Sequence, residues 1–134
     1  MSFYGQEYLE MAASKEGMKS KEYLEHLEIA NKGSRINGID RVMDALDLDA
    51  IIAPTGSPAW KTNHDKGDTF ILSSSSAAAI AGYPNISIPM GYVGELPVGL
   101  SIFGRKWSEG LLLDIAQVYE NANRQRQIPK YLKE

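Results

Sequence analysis

The sequence predicts an α/β fold in which helices pack on a few strands of a mixed sheet. Three observations carry that prediction. Over residues 1–46, apolar positions recur every three or four residues, as helices with one covered face require. From Ala50 onward the apolar runs shorten to strand length and are closed by Pro and Gly. After Ser108 the spacing becomes helical again. The 134 residues contain no stretch rich enough in Gly, Ser or Pro to divide them. The chain therefore reads as one domain over 1–134, mainly helical over 1–46, with strands, a loop and a closing helix over 47–126.

Taken in order, Phe3, Tyr4, Tyr8 and Met11 or Ala12 share a face of a first helix that Gly17 interrupts. Ser20 is placed to cap a second helix bearing Tyr23, Leu24, Leu27 and Ala30, which ends near Gly33. Ile36, Ile39, Met43 and Leu46 mark a third. Ala50-Ile51-Ile52-Ala53 has no polar residue, which predicts a strand buried on both faces and ended by Pro54. Ser57 to Thr69 reads as a polar surface loop, and Ser73 to Ala81 as a short helix stopped by Gly82. Ile86-Ser87-Ile88 and Val98 to Phe103 alternate, predicting an antiparallel pair that reverses through Gly91, Gly94 and Pro97. Ser108 and Glu109 then open a closing helix with Leu112, Ile115, Tyr119 and Ala122 on its buried stripe, bounded by Pro129.

Composition excludes several function classes. Fourteen Lys and Arg are scattered among 17 Asp and Glu for a net charge of -3, which leaves no basic footprint for nucleic acid. Without cysteine there is no disulfide, thiolate nucleophile or Cys-ligated zinc. The longest apolar run falls well short of the roughly 20 residues a membrane helix needs. The start, Met-Ser-Phe-Tyr-Gly-Gln-Glu, lacks the cationic and apolar regions of a secretory signal. A cytoplasmic protein is therefore expected, and Asn85-Ile86-Ser87 is an accidental match to the glycosylation pattern.

Chemistry-bearing residues are few. Ser73-Ser74-Ser75-Ser76 offers adjacent hydroxyls, but it lacks flanking glycines and runs into Ala77-Ala78-Ala79, so it reads as a helix start rather than a nucleophile. His26 belongs to a surface helix. His64, Asp65 and Asp68 share one loop without a second ligand pair, so no metal site is assigned, and no cofactor is called for. The glycines follow no strand, Gly-x-Gly-x-x-Gly and helix order, which excludes a phosphate cradle.

Four blocks carry a more specific signal. They are Leu48-Asp49-Ala50-Ile51-Ile52-Ala53-Pro54-Thr55-Gly56-Ser57-Pro58-Ala59-Trp60, Ala81-Gly82-Tyr83-Pro84-Asn85-Ile86-Ser87-Ile88-Pro89-Met90-Gly91, Leu96 to Gly104, and Glu109 with Leu111-Leu112-Leu113. In this order and spacing they resemble the C-terminal portion of amidase signature enzymes. Pro54 to Trp60 and Phe103 to Glu109 are most similar to bacterial amidases acting on peptide or small amides, rather than to the subunit that makes glutaminyl-tRNA.

The resemblance implies hydrolysis of carboxamide C–N bonds by a serine, a second serine across a cis peptide and a lysine, all upstream of the matched part. This sequence holds no Gly-Gly-Ser-Ser-Gly-Gly signature, so no catalytic residue is assigned and the chain alone is expected to be inactive. The resemblance also places the loop after Pro54 near the substrate pocket, with Thr55, Trp60, Asp68 and Phe70 as candidate wall residues. For Trp60, a pocket wall and a simple anchor of the loop on the core both stay open. Implied partners are a small-molecule amide in the full-length enzyme, and a catalytic-half chain or a second copy of this one. A noncatalytic binding module and the product of a truncated reading frame are the alternatives.

Overall fold

The computed structural model describes residues 5–129. Five α-helices and three strands are found there, with a π-helical segment, Arg35–Ile39, joining the second and third helices: α1 (Glu7–Ala13), α2 (Lys21–Ser34), α3 (Asp40–Leu46), β1 (Ile51–Pro54), α4 (Ser75–Ala81), β2 (Asn85–Val93), β3 (Leu96–Phe103) and α5 (Glu109–Ala122). The strands form an antiparallel sheet in the order β1-β3-β2.

The two faces of the sheet are covered differently. Ile51 and Asn85 both register with Phe103, and Ala53 and Ser87 with Ser101, so these residues share one face. There Phe103 joins Ile39, Met43, Ala78 and Ala81 in a core contributed by the turn before α3, by α3 itself and by α4. On the other face Ile88, Leu100 and Ile102 pack against Leu112 and Ala116 of α5.

Local chemistry explains most element boundaries. Ser20 Oγ accepts from Tyr23 N at 3.2 Å and caps α2 as expected. Gly82 ends α4 at φ 64°, a left-handed conformation open to glycine, with Tyr83 N donating to Ala78 O at 3.0 Å. Gly94 takes φ 63° at the first position of a two-residue turn, so β2 and β3 run further than their alternating cores suggested. Ser108 flanks α5, but its hydroxyl donates to Arg105 O at 2.7 Å and caps no α5 N–H. That expected side-chain cap is corrected.

Between α2 and α3 the chain kinks at Gly38, which has φ -113° and ψ -109°. A Cβ there would lie 2.7 Å from the backbone oxygen of Gly33. Gly38→Ala is therefore expected to lower unfolding free energy by about 1–3 kcal/mol, because a backbone carbonyl must move. Denaturant unfolding checks this, and an unchanged midpoint would mean the kink relaxes freely.

Other expectations are corrected in part. β1 is an edge strand, not one buried on both faces: Ile51 packs on the core while Ile52 is 63% exposed. Of the third-helix stripe, Ile39 and Met43 are buried but Ile36 and Leu46 are exposed. Along α5, Ala116 is buried and Ala122 exposed. In α1, Tyr8 and Met11 are exposed, while Phe3 and Tyr4 lie outside the described residues.

A polar clasp ties α3 to the end of the sheet. Arg105 pairs with Asp40 and Asp44, and Tyr83 Oη donates to Asp40 Oδ2 at 2.8 Å. Burial, then the Asp40 hydrogen bond, raises the Tyr83 pKa above its usual 10.0. The folded state thus favours the neutral phenol. Its contribution is full below the ordinary tyrosine range and is lost as pH rises through the raised value.

Candidate functional site

The segment after β1 is built from the sheet outward. Thr55 extends β1 by one residue, its N–H donating to Gly99 O at 2.7 Å. Alternation turns its side chain to the face of Ala53, Ser87 and Ser101. Thr55 Oγ1 lies 2.7 Å from Ser87 Oγ and accepts from Ser101 Oγ at 3.0 Å. Ser101 is 1% exposed, so this bond satisfies a hydroxyl that water cannot reach. Gly99 makes room for the trio, because a Cβ there would lie 2.8 Å from both Ser87 Oγ and Thr55 Oγ1.

Beyond Thr55 the chain leaves the sheet as a loop held at three levels. At its base, Gly56 and Ser73 form an isolated antiparallel bridge and Ser57 N donates to Leu72 O at 3.3 Å. Ser57 Oγ is buried there and makes no hydrogen bond among the described residues. At the tip, Asn63 Oδ1 accepts from Asp65 N and Lys66 N at 3.0 and 2.9 Å. Asn63 O also accepts from Gly67 N, and Gly67 sits at φ 78°. In between, Trp60 Nε1 donates to Asp68 Oδ1 at 3.3 Å, and the Trp60 and Phe70 rings meet edge to face at 6.3 Å.

Three of the four candidate wall residues are thus brought together, with Trp60 contacting both Asp68 and Phe70. Thr55 stands apart from them, in the hydroxyl trio on the sheet. Ser87, Ser101 and Gly99 were not singled out from sequence, because only the strand register places them around Thr55. The serine run divides as expected for a helix start, with Ser75 and Ser76 opening α4. Ser73 Oγ bonds to Ser75 Oγ at 2.8 Å, and Ser74 N donates to Thr55 O at 3.2 Å.

Among the described residues, no group of three or more His, Cys, Asp or Glu gathers in a metal-binding arrangement. None of their helices is long and apolar enough to cross a membrane. A groove of about 480 Å³ between β2 and α5, lined by Ile86, Ile88, Leu113 and Gln117 among others, contains none of the candidate residues.

Comparison with known proteins places this architecture. A probable amidase from Arabidopsis thaliana is 35% identical over 96% of this chain and 22% of its own length. The structure of a peptide amidase in complex with the competitive inhibitor chymostatin superposes with a TM-score of 0.92 at 39% identity, covering 98% of this chain and 27% of that one. A glutamyl-tRNA(Gln) amidotransferase subunit from Thermotoga maritima gives a TM-score of 0.63 at 27% identity, over 78% of this chain and 23% of that one. This chain thus spans about a quarter of the length of these relatives. The Amidase family model matches residues 5–113. The chain belongs to the amidase family.

Proposed function

We propose that this chain is the C-terminal portion of an amidase that hydrolyses carboxamide C–N bonds, and that it forms a substrate-side wall of the complete enzyme. The observation that carries this reading is the 0.92 TM-score over 98% of the chain to a peptide amidase. The higher TM-score to peptide amidase than to the amidotransferase subunit, 0.92 against 0.63, supports a peptide or small amide substrate over a tRNA-linked one.

In the complete enzyme a serine hydroxyl, relieved of its proton through a second serine to a neutral lysine, attacks the amide carbon. The amine leaves, and water then cleaves the acyl-enzyme. The remainder of the fold supplies those three groups. This chain supplies the Pro54–Phe70 loop, whose base is tied to the sheet side by the Gly56–Ser73 bridge.

The chain alone is expected to release no ammonia from peptide amides and to resist serine-directed fluorophosphonates, because a serine without a base and oxyanion site gains little over water. Mixing it with a Stenotrophomonas maltophilia peptide amidase that lacks the matched quarter is expected to produce amide hydrolysis. Labelling at Ser73–Ser76 would overturn the predicted inactivity. Silence of a properly folded mixture would overturn the amidase role.

A further inference from the structure

We propose that Asn37 is a site of self-modification, at which the side-chain amide is lost to the backbone nitrogen of Gly38 and the isoaspartyl product loosens the joint between α2 and α3. The proposal concerns the covalent chemistry of this chain and stands apart from the amidase reading.

The sequence singles out the position. Of the six asparagines, only Asn37 is followed by glycine. Without a Cβ, Gly38 leaves its backbone nitrogen open to approach from the preceding side chain. Gly38 is also hard to replace, because a Cβ there would lie 2.7 Å from Gly33 O. The packing that requires glycine therefore keeps the reactive pair together.

The structure withdraws the usual protection. Inside a regular helix the backbone nitrogen is held in the hydrogen-bond ladder, away from the side-chain carbon that it must reach. Asn31 and Asn121 lie within α2 and α5, and Asn85 opens β2 ahead of the branched Ile86. Asn63 Oδ1 is committed to two backbone N–H groups, and Asn123 Nδ2 donates to Tyr119 Oη at 2.7 Å. Asn37 is exposed, in the π-helical segment, directly before the residue where the chain leaves helical geometry. Local opening costs least where the ladder is already interrupted.

The chemistry needs only water. The Gly38 nitrogen gives its proton to hydroxide and attacks Asn37 Cγ. The N–Cγ bond forms, the Cγ–Nδ2 bond breaks, and Nδ2 takes a proton from water to leave as ammonia, giving a five-membered succinimide and restoring hydroxide. Water then opens the ring. Attack at the backbone carbonyl leaves the main chain running through Cγ, longer by one methylene, and frees an α-carboxylate. Close by, Ile39 is 4% exposed and shares a core with Met43, Ala78, Ala81 and Phe103. A longer backbone beside it must shift either that side chain or the fit of Gly38 against Gly33.

The test incubates the full chain at mildly alkaline pH and body temperature, natively and in urea, and digests it with trypsin. Cleavage at Arg35 and Arg41 isolates residues 36–41, whose only asparagine is Asn37. In the native chain this peptide is expected to gain about 1 Da, chiefly as the isoaspartyl form, at least about ten-fold faster than any peptide carrying another asparagine. Hydroxylamine, which captures the succinimide, should cut the chain between Asn37 and Gly38. The native rate should fall below the rate in urea by less than about ten-fold, and the aged chain should unfold at lower denaturant than the fresh chain. Asn37→Gln, which would have to close a six-membered ring, should show neither change.

Native protection beyond that factor, or earlier modification at another asparagine, would overturn the site. An aged chain as stable as the fresh one would overturn its effect on the joint. The ammonia released is limited to one molecule per chain and needs no added amide, so it cannot be mistaken for turnover in the mixing experiment.

Discussion

Leu112→Ala is expected to lower the unfolding free energy of this chain by about 2–5 kcal/mol, the cost of emptying a packed leucine site. Leu112 is 1% exposed and sits among Ile88, Leu100, Ile102 and Ala116, where α5 meets the sheet. Its Cδ2 also lies 3.4 Å from where a Cβ on Gly104 would be, so the end of β3 cannot easily collapse into the space. Trp60→Ala gives the contrasting result. It removes a larger side chain, yet one that is 39% exposed and that contacts an exposed phenylalanine and a loop carboxylate. The expected loss is below about 1 kcal/mol, against ~3–5 for a core aromatic. Denaturant unfolding of both variants at one protein concentration measures the pair. A loss above ~3 kcal/mol for Trp60→Ala would make it a core anchor and remove the best pocket residue.

In solution the chain is expected to form a dimer or larger species. It exposes 11100 Å², whereas a compact monomer of 14.8 kDa exposes about 7000 Å². Part of this surface is apolar: Ile52 on β1, Leu111, Leu113 and Val118 on α5, Ile36 before α3 and Leu46 at its end are all exposed. β1 and β2 also each have one edge unpaired within this sheet. The groove of Ile86, Ile88 and Leu113 lies along β2. Light scattering at tens of micromolar and hydrophobic-dye binding test this. A monomer that binds no dye would show that these surfaces are tolerated by water. Addition of the complementary amidase portion should dissolve the self-associated species, because both compete for the same apolar area.

Where the deciding chemistry was local, the sequence was informative. Ser20 and Gly82 act within a turn of their own positions, so the α2 start and α4 stop could be read directly. Misreadings arose where an apolar residue has no cover inside this chain. Ala50 to Ala53 reads as buried on both faces because Ile51 and Ile52 are adjacent, but the Ile52 side is only partly covered here: Ala50 packs on the α5-side core while Ile52 stays 63% exposed. Ile36 and Leu46 follow the same logic.

Of the site, the resemblance pointed to Trp60, Asp68 and Phe70, while their contact depends on the reversal at Asn63 and Gly67. The Thr55 trio could not be read at all. Its members are distant in sequence and meet only once Ser87 and Ser101 share a register position.

The strand order has a further effect during synthesis. Ile51 pairs with Phe103, and β1 has no other partner among the described strands, so β1 leaves the ribosome well before this partner strand is made. At roughly 5–20 residues per second the nascent strand waits for several seconds. During that interval the apolar run Ile51-Ile52-Ala53 would be a target for neighbouring nascent chains. Directly behind it in the chain come Pro54 and then Lys61, Asp65, Lys66 and Asp68, a proline and charges that oppose strand pairing. The loop that projects from the finished fold therefore also acts as a gatekeeper for the strand made just before it.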